Sequence, residues 1–354
     1  MSILVWVILG LYTLFIGWIL WYSQKIPQLK EDEALRKSSK FSLVIPFKNE
    51  ADNLPRLLKS LNKIDYPKEH FEIIMVDDHS TDTSSKLVES APNITLLTNK
   101  GQGKKAALLT GISQSQYRWI ITTDADTELP EGYLKTANRY TQKFPAKMYL
   151  GPVRYFDQDN FINQFQQFEF LSLQALTMAG VEFGKPFLAN GANLIFAKAA
   201  FFEVNAYQGN EQIASGDDVF LLEKFKETFV ESIVFMKDQS AIVQTKPPQT
   251  WYDLLQQKIR WASKTKYQKA ILPILFGLLT LISNLLLVIS FLTPYKYGFF
   301  IIGKFMLDSL LLWQINKFYK AKIHWWYLPL GFLIYPFYFI LIGVLAMSGN
   351  YKWK

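Results

Sequence analysis

Four long apolar runs constrain how this chain can fold. Residues 3–22 carry no charge, and uncharged runs of similar length follow at residues 270–292 and 326–347. Each is long enough to cross a hydrocarbon layer about 30 Å thick, so we predict membrane-spanning helices rather than buried helices of a soluble core. No Lys or Arg precedes Lys25, which is atypical of a cleaved signal peptide, and the first run is therefore interpreted as an uncleaved anchor.

The remaining run, residues 298–315, contains two charges of opposite sign. Lys304 and Asp308 lie one helical turn apart in it. Charges inside a membrane span are costly unless they are paired or face other protein. We expect a neutralised pair in a fourth span; a functional ion pathway is the alternative.

Basic residues beside the runs indicate orientation, because short cytoplasmic segments collect Lys and Arg. They are Lys25, Lys30, Arg36, Lys37 and Lys40 after the first run, those in 258–269 before the second, and Lys317, Lys320 and Lys322 before the last. These segments are predicted to face the cytoplasm, with both termini outside, although Lys352 and Lys354 oppose this for the last run.

The net charge of +8 fits the same picture, since basic residues beside membrane spans bind anionic lipid headgroups more often than nucleic acid. The chain has no cysteine, which excludes disulfides and thiolate metal sites, and its three histidines are scattered. Any metal must therefore be held by oxygen ligands.

The middle of the chain, residues 24–269, is expected to form one cytoplasmic domain between an anchor at 1–23 and a membrane domain at 270–354. Apolar strands are predicted at FSLVIPF (41–47), FEIIMVDD (71–78), ITLLT (94–98) and RWIITTD (118–124), with short helices between them. This alternation indicates an α/β fold with a parallel sheet covered on both faces. The Phe-, Leu- and Gln-rich segment 161–178 is expected to be one covering helix, and 250–269 an interfacial segment on the membrane.

Polar residues follow three of these strands: PFKNE, DDHSTD and DADTE. Ligands bind parallel sheets at the carboxyl ends of the strands, so we expect these residues to share one edge. Taken alone, DDHSTD is more typical of a helix cap formed by Ser80 or Asp82.

Asp124 and Asp126 stand one residue apart in DADTE. In an extended segment both carboxylates point the same way, and a hard cation such as Mg²⁺ or Mn²⁺ would relieve their repulsion. The alternative is that Asp126 caps the turn before Pro130 while Asp124 is solvated.

The motifs VIPFKNE, VDDHSTD, GQGKKAALLTGI, DADT, GAN, GDD and QKIRW follow one another between residues 41 and 262. In this order they resemble the family 2 glycosyltransferases, which have the GT-A fold, and in particular the membrane-embedded branch. Their Gln-x-x-Arg-Trp motif is similar to that of cellulose, chitin and hyaluronan synthases and of ceramide glucosyltransferase-like enzymes. The resemblance implies a Rossmann-like, mixed but mostly parallel sheet with helices on both faces, together with transmembrane helices.

The resemblance also implies a nucleotide-sugar donor and a divalent metal, Mg²⁺ or Mn²⁺. The implied donor-binding residues are Pro46, Glu50, Asp77, Asp78, Lys104 and Asp124, and the implied metal ligands are Asp126 and Asp124. The implied catalytic residues are Asp218 as the base, Asp217 beside it, Arg260 on the diphosphate, and Gln257 and Trp261 on the acceptor side. Leu109 stands where relatives usually have Asn, and many relatives have Glu in place of Asp217.

Asn190, Gly191 and Asn193 resemble the acceptor-side loop of the family, although a tight turn entering a strand explains them equally well. Likewise, Gly-Asp-Asp at 216–218 could simply cap the following helix.

The expected function is inverting, metal-dependent transfer of a sugar, most simply from a UDP-sugar, to a membrane lipid at the cytoplasmic face of a bacterial inner membrane. The alternatives are a processive polysaccharide synthase and a non-catalytic membrane scaffold. Transfer to polyisoprenyl phosphate is disfavoured, because enzymes of that kind usually lack Gln-x-x-Arg-Trp. No nucleic-acid partner is expected.

Overall fold

The chain divides into a unit built on β-sheets and a unit built on long helices. The computed structural model describes residues 2–29, 38–209, 216–229, 231–263 and 270–348. The sheet unit comprises Ile26–Phe156 and Gly180–Lys246, and the helical unit comprises Met1–Lys25, Asp157–Ala179 and Pro247–Lys354. These units depart from the expected segments 1–23, 24–269 and 270–354, because residues 157–179 and 247–263 group with the apolar helices.

Some of the basic residues used to predict orientation lie outside the described residues: Lys30, Arg36, Lys37, Lys264, Lys266, Lys269, Lys352 and Lys354. The orientation therefore stays a prediction.

Among the described residues of the sheet unit, ten strands form two sheets. In chain order they are β1 (Phe41–Phe47), β2 (Phe71–Asp77), β3 (Thr95–Thr98), β4 (Trp119–Thr122), β5 (Thr127–Glu128), β6 (Met148–Leu150), β7 (Val153–Tyr155), β8 (Leu194–Ala197), β9 (Ile233–Phe235) and β10 (Val243–Thr245). The larger sheet has the order β3-β2-β1-β4-β8-β6-β9, and the smaller has the order β5-β10-β7. The first four strands of the larger sheet are parallel, whereas β8 runs antiparallel to β4 and β6. The mixed, mostly parallel sheet implied by the resemblance is confirmed.

The helices of the sheet unit are α2 (Leu54–Asn62), α3 (Ser84–Glu89), α4 (Lys104–Gln114), α5 (Tyr133–Lys143), α7 (Lys198–Glu203) and α8 (Asp217–Thr228). Every residue of β1 is buried, as expected for a central strand that is apolar throughout. Helix α4 lies very close to the sheet at Gly111, where a Cβ atom would be 2.5 Å from Val44 Cγ1 and 3.0 Å from Val76 Cγ2. A larger residue at this position would push the helix away from the sheet.

The helical unit contains α1 (Ser2–Lys25), the first part of α6 (Phe161–Glu182), α9 (Trp251–Ser263), α10 (Ile271–Leu292), α11 (Pro294–Tyr319) and α12 (Leu328–Ser348). Among the described residues, four helical segments are long and apolar enough to cross a membrane: Ile3–Lys25, Ile271–Leu292, Pro294–Tyr319 and Trp325–Met347. They coincide with the four runs found in the sequence, and the chain is a membrane protein on this ground.

The two charges in the third span form the neutralised pair predicted for them. Lys304 Nζ lies 2.7 Å from Asp308 Oδ2, and the Tyr12 hydroxyl donates a hydrogen bond of 2.6 Å to the other carboxylate oxygen of Asp308. Lys304 is only 2% exposed, so its charge depends on these partners.

The covering helix predicted at 161–178 forms as α6, and its first part has contacts within the helical unit. That this helix covers the sheet stays a prediction. Phe165 packs against Trp251 and Tyr338, with ring centroids 5.3 and 5.0 Å apart. The buried side-chain amides of α6 also form hydrogen bonds within the helical unit. Gln164, for example, donates to the carbonyl of Lys322 at 3.0 Å. Amphipathicity predicts that a helix covers something, and it does not say which surface.

Candidate active site

The polar segments that follow β1, β2 and β4 lie at one edge of the larger sheet. Strand β1 pairs in parallel with β2 on one side and with β4 on the other, so the three carboxyl ends coincide. Glu50 follows β1, Asp78 follows β2, and Asp124 follows β4. Pro46, in contrast, is a buried residue of β1. The sheet thus collects acidic side chains from distant parts of the sequence, as expected for a ligand-binding edge.

Asp77 and Asp78 stabilise the loops at this edge through hydrogen bonds. The buried Asp78 carboxylate accepts hydrogen bonds from Asn99 Nδ2 at 2.6 Å and from the Gly103 amide at 2.9 Å. Asp77 accepts one from the Ser80 amide at 2.9 Å. Both carboxylates therefore fix the backbone of the glycine-rich loop and of the DDHSTD turn. Their contact with a nucleoside stays a prediction.

Lys104 connects the first carboxylate of DADTE to the acidic pair of GDD. It is the first residue of α4 and follows Gly103, whose φ of +84° favours glycine. Its Nζ lies 2.7 Å from Asp124 Oδ1 and 3.3 Å from Asp217 Oδ2. Burial alone would lower the pKa of Lys104, but the two carboxylates raise it well above its usual value. The ammonium is therefore charged at neutral pH and holds two loops together.

Asp126 lies in the most strongly negative part of the edge. Burial, followed by the charges of Asp124 and Glu50, raises the pKa of Asp126 to about 7. Burial is also the largest cause that raises the pKa of Glu50. The Thr245 hydroxyl donates a hydrogen bond of 3.3 Å to Asp126 Oδ1. Burial and the neighbouring negative charges therefore both disfavour the ionised forms of Asp126 and Glu50.

This donor set fits a divalent cation shared with a phosphate ligand. The described residues contain no group of three or more His, Cys, Asp or Glu side chains that could hold a metal alone. Mg²⁺, however, is usually held by one or two carboxylates plus the phosphates of a substrate. Asp126, with Asp124 beside it, supplies oxygen ligands of that kind and a local excess of negative charge.

The acidic pair of GDD begins helix α8 and contacts the loop of GAN. Asp217 and Asp218 are the first two residues of α8, and the preceding Gly216 has a φ of +86°. Asp218 Oδ2 accepts a hydrogen bond of 3.1 Å from the Gly191 amide, and its Oδ1 accepts one of 2.8 Å from Val219. Asp218 thus links the helix start to the loop, which combines the capping and site interpretations of this motif.

The three residues expected on the acceptor side have different surroundings. Asn193 is 1% exposed; it accepts a hydrogen bond of 2.7 Å from the Tyr133 hydroxyl and donates to the carbonyls of Pro152 and Ala241, each at 2.9 Å. This side chain is fully used inside the fold, which favours the tight-turn alternative for Asn193. The side chain of half-buried Asn190 accepts a hydrogen bond of 3.0 Å from the Ala192 amide in the turn.

Gly191 lies directly against the charged groups. A Cβ atom there would be 3.2 Å from Lys104 Nζ and 3.3 Å from Asp217 Oδ2. Glycine therefore allows the loop to approach the Lys104 ion pairs.

Gln257, Arg260 and Trp261 lie on α9, in the helical unit, and their roles at the site stay predictions. Lys258, which directly follows Gln257, has a side chain that is 3% exposed. It forms an ion pair of 2.7 Å with Glu169 of α6. Its Nζ lies 4.2 Å from the centroid of the Trp261 ring. These contacts fix the rotation of α9 within its own unit.

Sequence reasoning missed three residues at this edge: Asn53, Thr245 and Lys246. The Lys246 amide donates to the Asp126 carbonyl at 3.2 Å, and Lys246 Nζ donates to Asn53 Oδ1 at 3.1 Å. Thr245 lies 119 positions from Asp126 in the chain, and the short strand β10, which brings them together, follows no motif.

Comparison with known proteins identifies the region that carries this edge. Residues 42–202 match the family model described as glycosyl transferase family 2. This region, which is less than half of the chain, is similar to the family 2 glycosyltransferases. Across a longer stretch, the chain is 24% identical to the "Probable glycosyltransferase YdaM" of Bacillus subtilis (strain 168), over 97% of this chain and 82% of the relative.

A more similar but shorter match is the "Undecaprenyl-phosphate 4-deoxy-4-formamido-L-arabinose transferase" of Proteus mirabilis (strain HI4320), 36% identical over 101 residues. That match covers 27% of this chain and 31% of the relative, so the chain spans only about a third of the transferase's length. Among solved structures, the "Mannosyltransferase PcManGT from Pyrobaculum calidifontis in complex with GDP-Man and Mn2+" aligns with a TM-score of 0.59 at 14% identity, over 99% of this chain and 96% of that chain. This likeness concerns the fold alone, and the fold class is GT-A with apolar membrane helices.

Proposed function

We propose that the chain transfers a sugar from a nucleotide-sugar donor to a lipid acceptor in the membrane. The observation that carries the proposal is the convergence of Lys104, Asp124, Asp126 and Asp218 at the carboxyl edge of the sheet in a region similar to the family 2 glycosyltransferases. A non-catalytic scaffold would not need this concentration of half-buried, like-charged carboxylates, because like charges held close together repel one another.

The donor's diphosphate is the leaving group of the proposed reaction. Asp126 and Asp124 would hold Mg²⁺ or Mn²⁺, which supplies positive charge to a departing nucleoside diphosphate. Lys104 contributes a second positive charge next to Asp124. Arg260 is proposed to add a charge-assisted contact to the same diphosphate, since its planar fork matches phosphate oxygens.

Asp218 is proposed as the base for an acceptor hydroxyl. Its carboxylate would take the hydroxyl proton while the acceptor oxygen bonds to the anomeric carbon and the bond from that carbon to the diphosphate breaks. A single displacement of this kind inverts the anomeric configuration. The hydrogen bonds from the Gly191 and Val219 amides orient the Asp218 carboxylate.

A lipid acceptor is supported by two independent observations. The chain carries four apolar helices of membrane-spanning length. Its 36% identical relative is named as an undecaprenyl-phosphate transferase, which favours a lipid phosphate over the sphingolipid or diacylglycerol suggested by Gln-x-x-Arg-Trp. The proposed location is a bacterial inner membrane, with the catalytic domain on the cytoplasmic face.

The variant Asp218→Asn separates the two classes of acceptor. A lipid hydroxyl must lose a proton, so removal of the base should lower kcat by about 100- to 10,000-fold. A lipid phosphate has a second pKa near 6 and is already deprotonated at neutral pH, so the loss should be smaller. Turnover is measured from pH 6 to 9 with a polyisoprenyl phosphate and with a diacylglycerol or ceramide.

The test of the proposed function is sugar transfer by the full chain in lipid nanodiscs. Each nucleotide sugar is supplied with a membrane lipid extract, and the lipid product is identified by mass spectrometry. A lipid carrying one sugar supports the proposal. A long polymer identifies a processive synthase, and an absence of any product despite nucleotide binding identifies a non-catalytic relative; either result overturns the proposal.

A further inference from the structure

We propose that Lys246 is a phosphate-binding residue of the candidate active site, an inference that rests on the proposed function. Nothing in the sequence motifs points to this lysine. It follows β10, the central strand of the smaller sheet.

The backbone places Lys246 beside Asp126. Thr245 is paired with Thr127 across the antiparallel β5 and β10 strands. Next to this pair, the Lys246 amide donates a hydrogen bond of 3.2 Å to the Asp126 carbonyl, and the Thr245 hydroxyl donates one of 3.3 Å to the Asp126 carboxylate. A change in the position of Asp126 would therefore move Lys246 with it.

The side chain of Lys246 reaches toward Glu50. Its ammonium donates a hydrogen bond of 3.1 Å to Asn53 Oδ1, and Asn53 Nδ2 in turn donates to Glu50 Oε2. Asn53 thus holds the ammonium on the Glu50 side of the edge, whereas Lys104 lies between Asp124 and Asp217.

The two lysines differ in how much of their charge is available. Lys104 is neutralised by carboxylates at 2.7 and 3.3 Å. For Lys246, no carboxylate of a described residue lies within 4.0 Å, and its recorded partner is a neutral amide. The charge of Lys246 also acts on Glu50, whose pKa it lowers. An ammonium has three donors, so the exposed Lys246 can still offer further hydrogen bonds and positive charge to an anion.

An anion bound at this edge needs that charge. Glu50, Asp124 and Asp126 place three carboxylates at this edge of the sheet. A diphosphate or a lipid phosphate entering beside them would be repelled. Lys246, which is linked to Glu50 through Asn53, is placed to offset this repulsion through a charge-assisted hydrogen bond to a phosphate oxygen.

Titration of the full chain in nanodiscs with UDP and GDP in the presence of Mg²⁺ tests the inference. Lys246→Met should weaken binding of the preferred diphosphate by about tenfold or more, the size expected for one lost hydrogen bond to a charged group. Lys246→Arg, which keeps the charge, should lose less. Lys59→Met is the matched control. Lys59 is an exposed lysine on α2, and its replacement removes the same charge from the protein.

A second arm distinguishes the source of the phosphate. If diphosphate binding is unchanged in Lys246→Met while the KM for a lipid phosphate acceptor rises about tenfold, Lys246 binds the acceptor's phosphate. If neither quantity changes relative to Lys59→Met, the contact with Asn53 is merely structural and the inference is overturned. Failure of the wild-type protein to bind either diphosphate would overturn the proposed function itself.

Discussion

At the scale of single residues, Lys104 decides how the charges of the candidate site are balanced. It contacts Asp124, from the segment after β4, and Asp217, from the start of α8. These carboxylates come from motifs that are 93 residues apart in the chain. One ammonium therefore couples the proposed donor side of the site to Asp217, the neighbour of the proposed base.

Replacement of this ammonium should be costly for catalysis. We expect Lys104→Met to lower kcat/KM for the donor by about 100-fold, as for the loss of one preorganised donor in other active sites. Lys100→Met, at an exposed position in the same glycine-rich loop, is the control. Steady-state kinetics check this prediction, and wild-type activity in a folded Lys104→Met protein would contradict it.

A smaller change tests how closely the loop must approach. Gly191→Ala places a methyl group about 3.2 Å from Lys104 Nζ. Because the end of a lysine side chain can move, we expect the protein to fold with a nearly unchanged melting temperature but with an activity at least about tenfold lower. A variant as active as the wild type would show that Lys104 need not hold its present position.

At the scale of elements, Asn193 ties the loops of both sheets together. It immediately precedes β8 of the larger sheet, and it donates to the carbonyls of Pro152, just before β7, and of Ala241, two residues before β10. Both of those strands belong to the smaller sheet. The position of β10, and with it of Thr245 beside Asp126, depends on this buried amide.

Asn193→Ala should therefore destabilise the protein by roughly 2 kcal/mol, because the buried Tyr133 hydroxyl and the Ala241 carbonyl would lose their partner. Asn190→Ala, which removes one bond in a half-buried turn, should cost about 1 kcal/mol or less. Thermal unfolding of the two variants in nanodiscs compares them. Equal melting temperatures would show that Asn193 is not structural.

Much of this edge follows from the sequence, and the exceptions have one physical cause. Glu50, Asp78 and Asp124 could be grouped because parallel strands end at the same side of a sheet. The neighbours of Lys246 and Asn193 could not be predicted, because they are set by pairing of strands of only two or three residues across long sequence separations. Short strands carry little hydrophobic periodicity, so no pattern in the chain marks them.

At the scale of the whole molecule, each compact unit is built from segments that are not contiguous in the chain. The four spans were predictable because twenty apolar residues have few other uses. The unit to which α6 belongs was not predictable from the sequence. Its glutamine side chains donate hydrogen bonds to the carbonyls of Lys322 and Pro248, which lie in loops. Those partners lie far away in the chain and show no complementary pattern.

The pair in the third span gives a test at this scale. Asp308→Ala should leave Lys304 uncompensated within the membrane, at a cost of about 3 kcal/mol, and lower the yield of folded protein. The double variant Lys304→Met with Asp308→Leu should recover the yield and retain glycosyl transfer. Loss of activity in a well-folded double variant would instead favour the ion-pathway alternative.

The measurement that tests the account most directly is release of nucleoside diphosphate from the preferred donor by wild-type protein, Asp126→Asn and the control Asp65→Asn. Asp65 is an exposed acid that pairs with Lys135 at the surface. We predict release that is abolished by EDTA, restored by Mn²⁺ or Mg²⁺, reduced at least about 100-fold in Asp126→Asn and unchanged in Asp65→Asn. Release that persists in EDTA and in Asp126→Asn would contradict a metal-assisted site at this edge of the sheet.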